Sequence, residues 1–325
     1  MNFSALERFL EQTFGKNSGN PGCDILIQQD AQTVYRKQFG FSDIHKRINR
    51  GEKEHYRLYS CTKLLTVTGA MRLVESEKLS LDAPVSDYLP SFRNAFLLKN
   101  GTRIPIHRPI TVHHLFTMTA GLDYRFDKPP ILQLFDRNSK TVSLQDFADA
   151  AIQSPLLFEP GERFQYSICH DILGAVVEQV TGCRFSDYLY QTIFDPLGMH
   201  ETFFRASLPS DIKLAPLYRY QEDPCTMIRA DAEKDPLFGD RFESGGAGVV
   251  STVTDYGKFA QALSNNGLAA NGYRLLKPET VRLMHTDQLE SSSDRTPFCC
   301  ASGEGYSYGF GVRTLVDRSK GQKAL

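Results

Sequence analysis

Tyr56-Arg57-Leu58-Tyr59-Ser60-Cys61-Thr62-Lys63-Leu64-Leu65 sets a serine and a lysine three residues apart where an apolar helical pattern begins. Residues three apart share one face of a helix, so the Lys63 amine can sit beside the Ser60 hydroxyl. A serine hydroxyl attacks poorly unless a neighbouring base takes its proton. A lysine can be that base when burial or positive neighbours disfavour its charged form. A helix N-terminus adds part of that positive field. The stretch therefore has the ingredients of a compact acyl-transfer device.

Two fixed residues in four recur by chance about once in a chain this long, and Ser210-Asp211-Ile212-Lys213 is such a recurrence. Context separates the two. Ser60 is followed by Leu64, Leu65, Val67, Met71, Leu73 and Val74, a buried-helix pattern. Ser210 follows Pro209 and precedes Pro216 in a polar connection, which reads as loop. Taken alone, Ser60 reads equally as a helix N-cap with a solvated lysine one turn on, so the argument needs further landmarks.

The chain has 325 residues, enough for about two lobes. It is 41% hydrophobic and 23% charged, ordinary for a globular protein. A formal net charge of −1 gives no electrostatic reason to expect nucleic acid or an anionic membrane surface as partner. No apolar run reaches the ~18 residues of a membrane span. Met1 to Leu10 reads as an amphipathic helix and not as a signal peptide, so a cytoplasmic location is expected. Seven cysteines without C-x-x-C spacing fit reduced thiols. The one close histidine pair, His113-His114, suits packing or helix capping, and no metal or organic cofactor is implied. A G-x-S-x-G elbow is absent, which argues against an α/β-hydrolase.

Helices are predicted at 3–15, from Ser60 to about Glu77, at 111–119 with a stop near Gly121, at 143–153, 168–181 closed by Gly182, 183–194, 252–264, and 278–285 opened by Pro278. Asp24 to Asp30 and Thr33 to Gly40 read as paired strands, and Tyr308 to Thr314 as another strand. Ser291-Ser292-Ser293 reads as a flexible connection. The order predicts an α+β fold, with an antiparallel sheet flanked by helices built from residues 1–59 and 245–325. A mainly helical lobe, 60–244, is inserted, and Ser60 lies at the junction.

The tract from Pro160 to Gly174, with Tyr166-Ser167-Ile168 at its centre, adds the second landmark. Further marks are Leu81 to Pro90, Leu115 to Leu122, Ile193 to Met199, Gly245 to Thr252 and Gly272 to Leu276. In this order and over nearly the whole chain they resemble the serine β-lactamase-like hydrolases: class C β-lactamases, D-alanyl-D-alanine peptidases and family VIII carboxylesterases. The resemblance implies a Ser60 nucleophile, Lys63 as its proton partner and Tyr166 as the catalytic tyrosine. Many relatives carry Tyr-x-Asn, whose asparagine contacts a substrate amide; Ile168 stands there in this chain. A site without that polar group has less reason to prefer amides or lactams. A small ester is therefore the expected substrate, with β-lactamase or D-alanyl peptidase activity as the alternative.

The resemblance also implies a Lys-Thr-Gly, His-x-Gly or Trp-Gly-Gly segment after the Tyr308 strand, a second oxyanion N–H from it, and further strands with a C-terminal helix. None follows within the 325 residues, so these parts are expected to be missing, and a truncated or non-catalytic binding remnant is the third reading. Among other residues, Asp171 lies five after Tyr166 and reads as structural. Asp82 reads as a loop cap, Arg57 as a packing or pairing residue near the sheet, Cys61 as a small buried residue, and Tyr124 as a pocket-lining candidate. Gly245, Gly246 and Gly248 read as permitting a tight backbone near the cleft.

Overall fold

The computed structural model describes residues 2–138, 142–222, 226–230, 242–296 and 303–321. The helix Thr62–Glu75 lies at the centre of the fold. Its sequence, TKLLTVTGAMRLVE, carries no charge between Lys63 and Arg72. Such a helix is not amphipathic and has to be surrounded. Leu65, Thr66, Val67, Thr68, Ala70 and Met71 are all buried. It packs against the helices Cys169–Thr181 and Phe185–Leu189. Gly69 allows the close approach. A Cβ there would stand 2.6 Å from Leu189 Cδ2, and the Tyr188 hydroxyl donates to the Gly69 carbonyl at 2.9 Å.

The paired strands are antiparallel and form small sheets, so the architecture is α+β. Val249–Ser251 is the middle strand of three, with Val250 opposite Arg57 on one side and Phe203 on the other. Cys23–Gln29 pairs with Gln32–Phe39 around Asp30-Ala31. Both turn residues have positive φ, as a tight hairpin with the strands' own twist requires. Among the described residues no helix is long and apolar enough to cross a membrane.

Local signals locate several ends well. Cys169–Thr181 stops at Gly182, whose φ of +70° is left-handed. Pro278 opens Pro278–Met284. Other expectations are corrected. The strand read over Tyr308 to Thr314 is a hairpin, Tyr306–Tyr308 against Arg313–Leu315. The chain doubles back at Gly309 to Val312, where a Cβ on Gly309 would meet the Met284 carbonyl oxygen at 2.1 Å. Residues 183–194 form Phe185–Leu189 followed by a π-turn over Tyr190–Phe194 instead of one helix. Ser293 is not a flexible link: it is buried and donates to the Gly161 carbonyl at 2.5 Å. The helix Pro129–Asn138 and the hairpins Phe96–Lys99/Thr102–Pro105 and Tyr218–Gln221/Thr226–Arg229 were not foreseen.

The histidine pair divides its work. His113 packs edge-on against Phe310, ring centroids 5.6 Å apart. His114 caps the helix Val112–Phe116. Its Nδ1 accepts from the Thr111 N–H at 3.0 Å, and its Nε2 lies 3.0 Å from Glu290 Oε1. An accepting Nδ1 carries no proton, so the imidazole is neutral and donates through Nε2. Burial pulls His114 down to about 4 and fully buried His170 down to about 3. In the unfolded chain both titrate near ~6.5. Below that pH the unfolded chain binds protons that the native state refuses, so stability falls as pH drops from about 6.5 toward 4. The urea midpoint is expected to be lower at pH 5 than at pH 7, and His114→Gln to flatten that slope; an unchanged slope in the variant would reject a neutral His114 cap.

Candidate active site

Ser60 sits in the short 3₁₀ turn Tyr59–Cys61 between the strand Tyr56–Arg57 and the helix Thr62–Glu75. Tyr59 has φ +44°, a left-handed conformation that costs a side-chain-bearing residue roughly 1–2 kcal/mol. The turn leaves Ser60 exposed, while Lys63, one turn on, is only 3% exposed. Cys61 is exposed beside Ser60, correcting the buried reading. The inward position of the turn is taken by Thr62, whose hydroxyl accepts from the Val249 N–H at 3.2 Å.

Lys63 Nζ reaches three oxygens: the Gly246 carbonyl at 2.8 Å, the Tyr124 hydroxyl at 3.0 Å and Ser60 Oγ at 3.3 Å. Tyr166 approaches from the segment before the helix Cys169–Thr181, where the Gln165 N–H is held by the Met118 carbonyl at 2.9 Å. Its hydroxyl donates to Ser60 Oγ at 2.8 Å, and the residue is 40% exposed. The structure thus brings together Ser60, Lys63 and Tyr166. Tyr124, read from sequence only as a pocket-lining candidate, joins them. It follows the turn at Gly121, and its ring lies alongside Tyr166, centroids 5.7 Å apart and planes 19° from parallel. No spacing rule could give Lys63 a partner 61 residues away.

Ile168 is buried just before the helix Cys169–Thr181. Asp171, in the first turn of that helix, is fully buried and accepts from Ser244 Oγ at 2.5 Å and from the Gly246 N–H at 3.1 Å. Burial pushes its carboxyl up, and the Lys63 charge opposes the rise. Burial also pushes the neighbouring Cys169 thiol up to about 11. Gly246 leaves no room for a side chain, since a Cβ would stand 2.7 Å from Asp171 Oδ2 and 2.9 Å from the Tyr124 hydroxyl. Ser210 to Lys213, the chance recurrence of the motif, is a turn and loop. Ser210 and Lys213 line a cavity of about 1150 Å³ together with Arg57 and Arg229. Ser60 is not among its walls. Among the described residues no group of three or more His, Cys, Asp or Glu could hold a metal ion.

Comparison with known proteins places this geometry in a family. The chain belongs to the Beta-lactamase family, whose model matches residues 8–318. It is 31% identical over 268 residues to esterase EstB of Burkholderia gladioli, covering 75% of this chain and 66% of EstB. It is 28% identical over 322 residues to the lovastatin esterase of Penicillium rubens, covering 92% of this chain and 78% of that protein. Its fold matches that of EstCE1, described as a hydrolase with promiscuous acyltransferase activity, with a TM-score of 0.75 and 28% identity over 92% of this chain and 79% of that one. The resemblance read from motifs and the β-lactamase-like α+β fold therefore hold over most of the chain.

The crowding at Gly246 has a measurable consequence. Gly246→Ala has to displace Asp171 or Tyr124 and is expected to cost about 1–3 kcal/mol, read from urea unfolding; a neutral substitution would mean that the segment can move aside freely.

Proposed function

We propose that this chain is a serine hydrolase of the esterase type, with Ser60 as nucleophile, Lys63 as its proton partner and Tyr166 as the proton relay to the leaving group. The observation that carries the reading is that Ser60 Oγ lies within hydrogen-bonding distance of both Lys63 Nζ, at 3.3 Å, and the Tyr166 hydroxyl, at 2.8 Å. As a free amine, Lys63 can donate two protons, to Gly246 and Tyr124, and keep a lone pair for the Ser60 hydroxyl proton. Ser60 Oγ then attacks the acyl carbonyl while its proton moves to Nζ. Collapse of the tetrahedral intermediate breaks the acyl–oxygen bond. The departing alkoxide takes a proton from the Tyr166 hydroxyl, leaving a phenolate, while the proton taken from Ser60 stays on Lys63 Nζ through acylation. The acyl group is left as an ester on Ser60. Water attacks that ester, its proton is taken up by the same pair, and Ser60 Oγ is reprotonated as the acid leaves.

Ester substrates are favoured over amides and lactams for a local reason. Ile168, in place of asparagine, offers no hydrogen bond to a substrate amide. The esterase names carried by EstB and the Penicillium rubens relative support the same class. No metal or organic cofactor enters the proposed reaction.

Intact-mass labelling with a fluorophosphonate tests the assignment. The wild type is expected to gain one adduct, and Ser60→Ala none. Tyr166→Phe is expected to slow turnover of a short p-nitrophenyl ester by about 10²–10⁴-fold, the usual range for losing an acid–base group. Equal labelling of Ser60→Ala would sink the proposal. A stable penicilloyl adduct on Ser60 would move the substrate class to lactams.

A further inference from the structure

Lys63 has to be aimed before it can exchange a proton with Ser60, and its shortest contact is with the Gly246 carbonyl at 2.8 Å. That carbonyl is one half of the Gly246–Ala247 peptide. The other half, the Ala247 N–H, donates to Ser244 Oγ at 2.9 Å. The single proton of the Ser244 hydroxyl goes to Asp171 Oδ1 at 2.5 Å. The same carboxylate oxygen accepts the Gly246 N–H at 3.1 Å, closing a ring around the tight turn. Asp171, Ser244, Gly246 and Ala247 are all buried.

We infer that Asp171 and Ser244 are positioning residues: they fix the Gly246–Ala247 peptide so that its carbonyl holds Lys63 Nζ toward Ser60. This inference rests on the proposed roles of Ser60 and Lys63. Anchoring the segment to the fold does not require the carboxylate. Thr66 Oγ1 already donates to the Gly245 carbonyl at 2.6 Å, and Thr62 Oγ1 accepts the Val249 N–H. A buried carboxylate is costly unless an opposite charge and hydrogen bonds compensate it. Hydrogen bonds from Ser244 and the Gly246 N–H meet that cost at Oδ1, and Oδ2 has no partner among the described residues. The hydrogen bonds run one way, from Lys63 Nζ through the Gly246 carbonyl, the Ala247 N–H and the Ser244 hydroxyl to Asp171 Oδ1, so each link polarises the next. Removing Ser244 Oγ breaks the path while leaving both threonine anchors in place.

The test compares the wild type with Ser244→Ala, Ser244→Thr and Asp171→Asn. It reads the fluorophosphonate labelling rate of Ser60, the melting temperature, and hydrogen exchange at the Ala247 amide. Ser244→Ala is expected to label at least tenfold more slowly, to melt near the wild type and to exchange faster at Ala247. Ser244→Thr keeps the hydroxyl and is expected to recover most of the rate. Asp171→Asn keeps one acceptor oxygen but puts an amide N–H₂ in place of the second, and is expected to slow labelling severalfold. Wild-type labelling rates in both Ser244→Ala and Asp171→Asn overturn the inference, as does a loss that only tracks the unfolded fraction. If Ser244→Ala does not fold, Asp171→Asn decides alone: severalfold slowing in a folded protein supports the positioning role, and a wild-type rate overturns it. A wild type that takes no adduct while Ala247 stays protected removes the nucleophile reading itself, and this role falls with it.

Discussion

The structure turns on one constraint: an amine-bearing side chain, Lys63, only 3% exposed in the helix Thr62–Glu75. An isolated buried charge costs several kcal/mol even after the protein relaxes. Lys63 Nζ meets that cost with three oxygens, on Gly246, Tyr124 and Ser60. Those partners come from three separate parts of the chain. Satisfying one side chain therefore ties together the helix Thr62–Glu75, the turn after Gly121 and the glycine segment beginning at Gly245.

The surroundings of that helix follow from the same need. Thr62, Lys63 and Thr66 form a polar set on its first turns, and each bonds into the stretch 245–249. The residues beyond, Leu65, Val67, Ala70 and Met71, are apolar and buried against other helices. The helix is thus polar where the backbone of a tight turn approaches and apolar where side chains pack. Gly246 belongs to this arrangement because a methyl group there would occupy the space of Asp171 and Tyr124. Tyr59 holds a left-handed backbone just before the exposed Ser60. Strain at one residue separates an exposed hydroxyl from a buried amine one turn away, and such strain is held only where packing over-determines it.

Local chemistry was legible in the sequence; long-range pairing was not. Ser60 and Lys63 share a helix face by spacing alone, and Gly182 and Pro278 mark helix ends through their own backbone preferences. Tyr166 needed the ordered landmarks of a resemblance, because nothing in its own neighbourhood points to Ser60. Tyr124 and Ser244 had no local signal: their partners lie 61 and 73 residues away. The hairpin at 306–315 was missed because apolar alternation continues through Gly309 and Gly311, so only the turn chemistry of those glycines could have revealed the reversal. Cys61 was misread for a similar reason: which of Cys61 and Thr62 turns inward depends on the 3₁₀ geometry of the preceding turn.

The substitution at 168 and the presence of Tyr124 belong together. By the resemblance, an asparagine at 168 would offer a substrate amide a hydrogen bond. Here Ile168 offers none, and Lys63 is bonded by the Tyr124 hydroxyl. The lysine is satisfied without a carboxamide, so the site keeps its internal balance while giving up a polar contact to the substrate. A substrate amide bound there would leave its N–H unpaired as water is displaced, a penalty of about 1–3 kcal/mol. An ester carries no N–H and its leaving alkoxide needs one proton, which the Tyr166 hydroxyl is placed to give on the proposed mechanism. On the proposed reading, preference for esters follows from what position 168 does not pair, not from any new group the site presents.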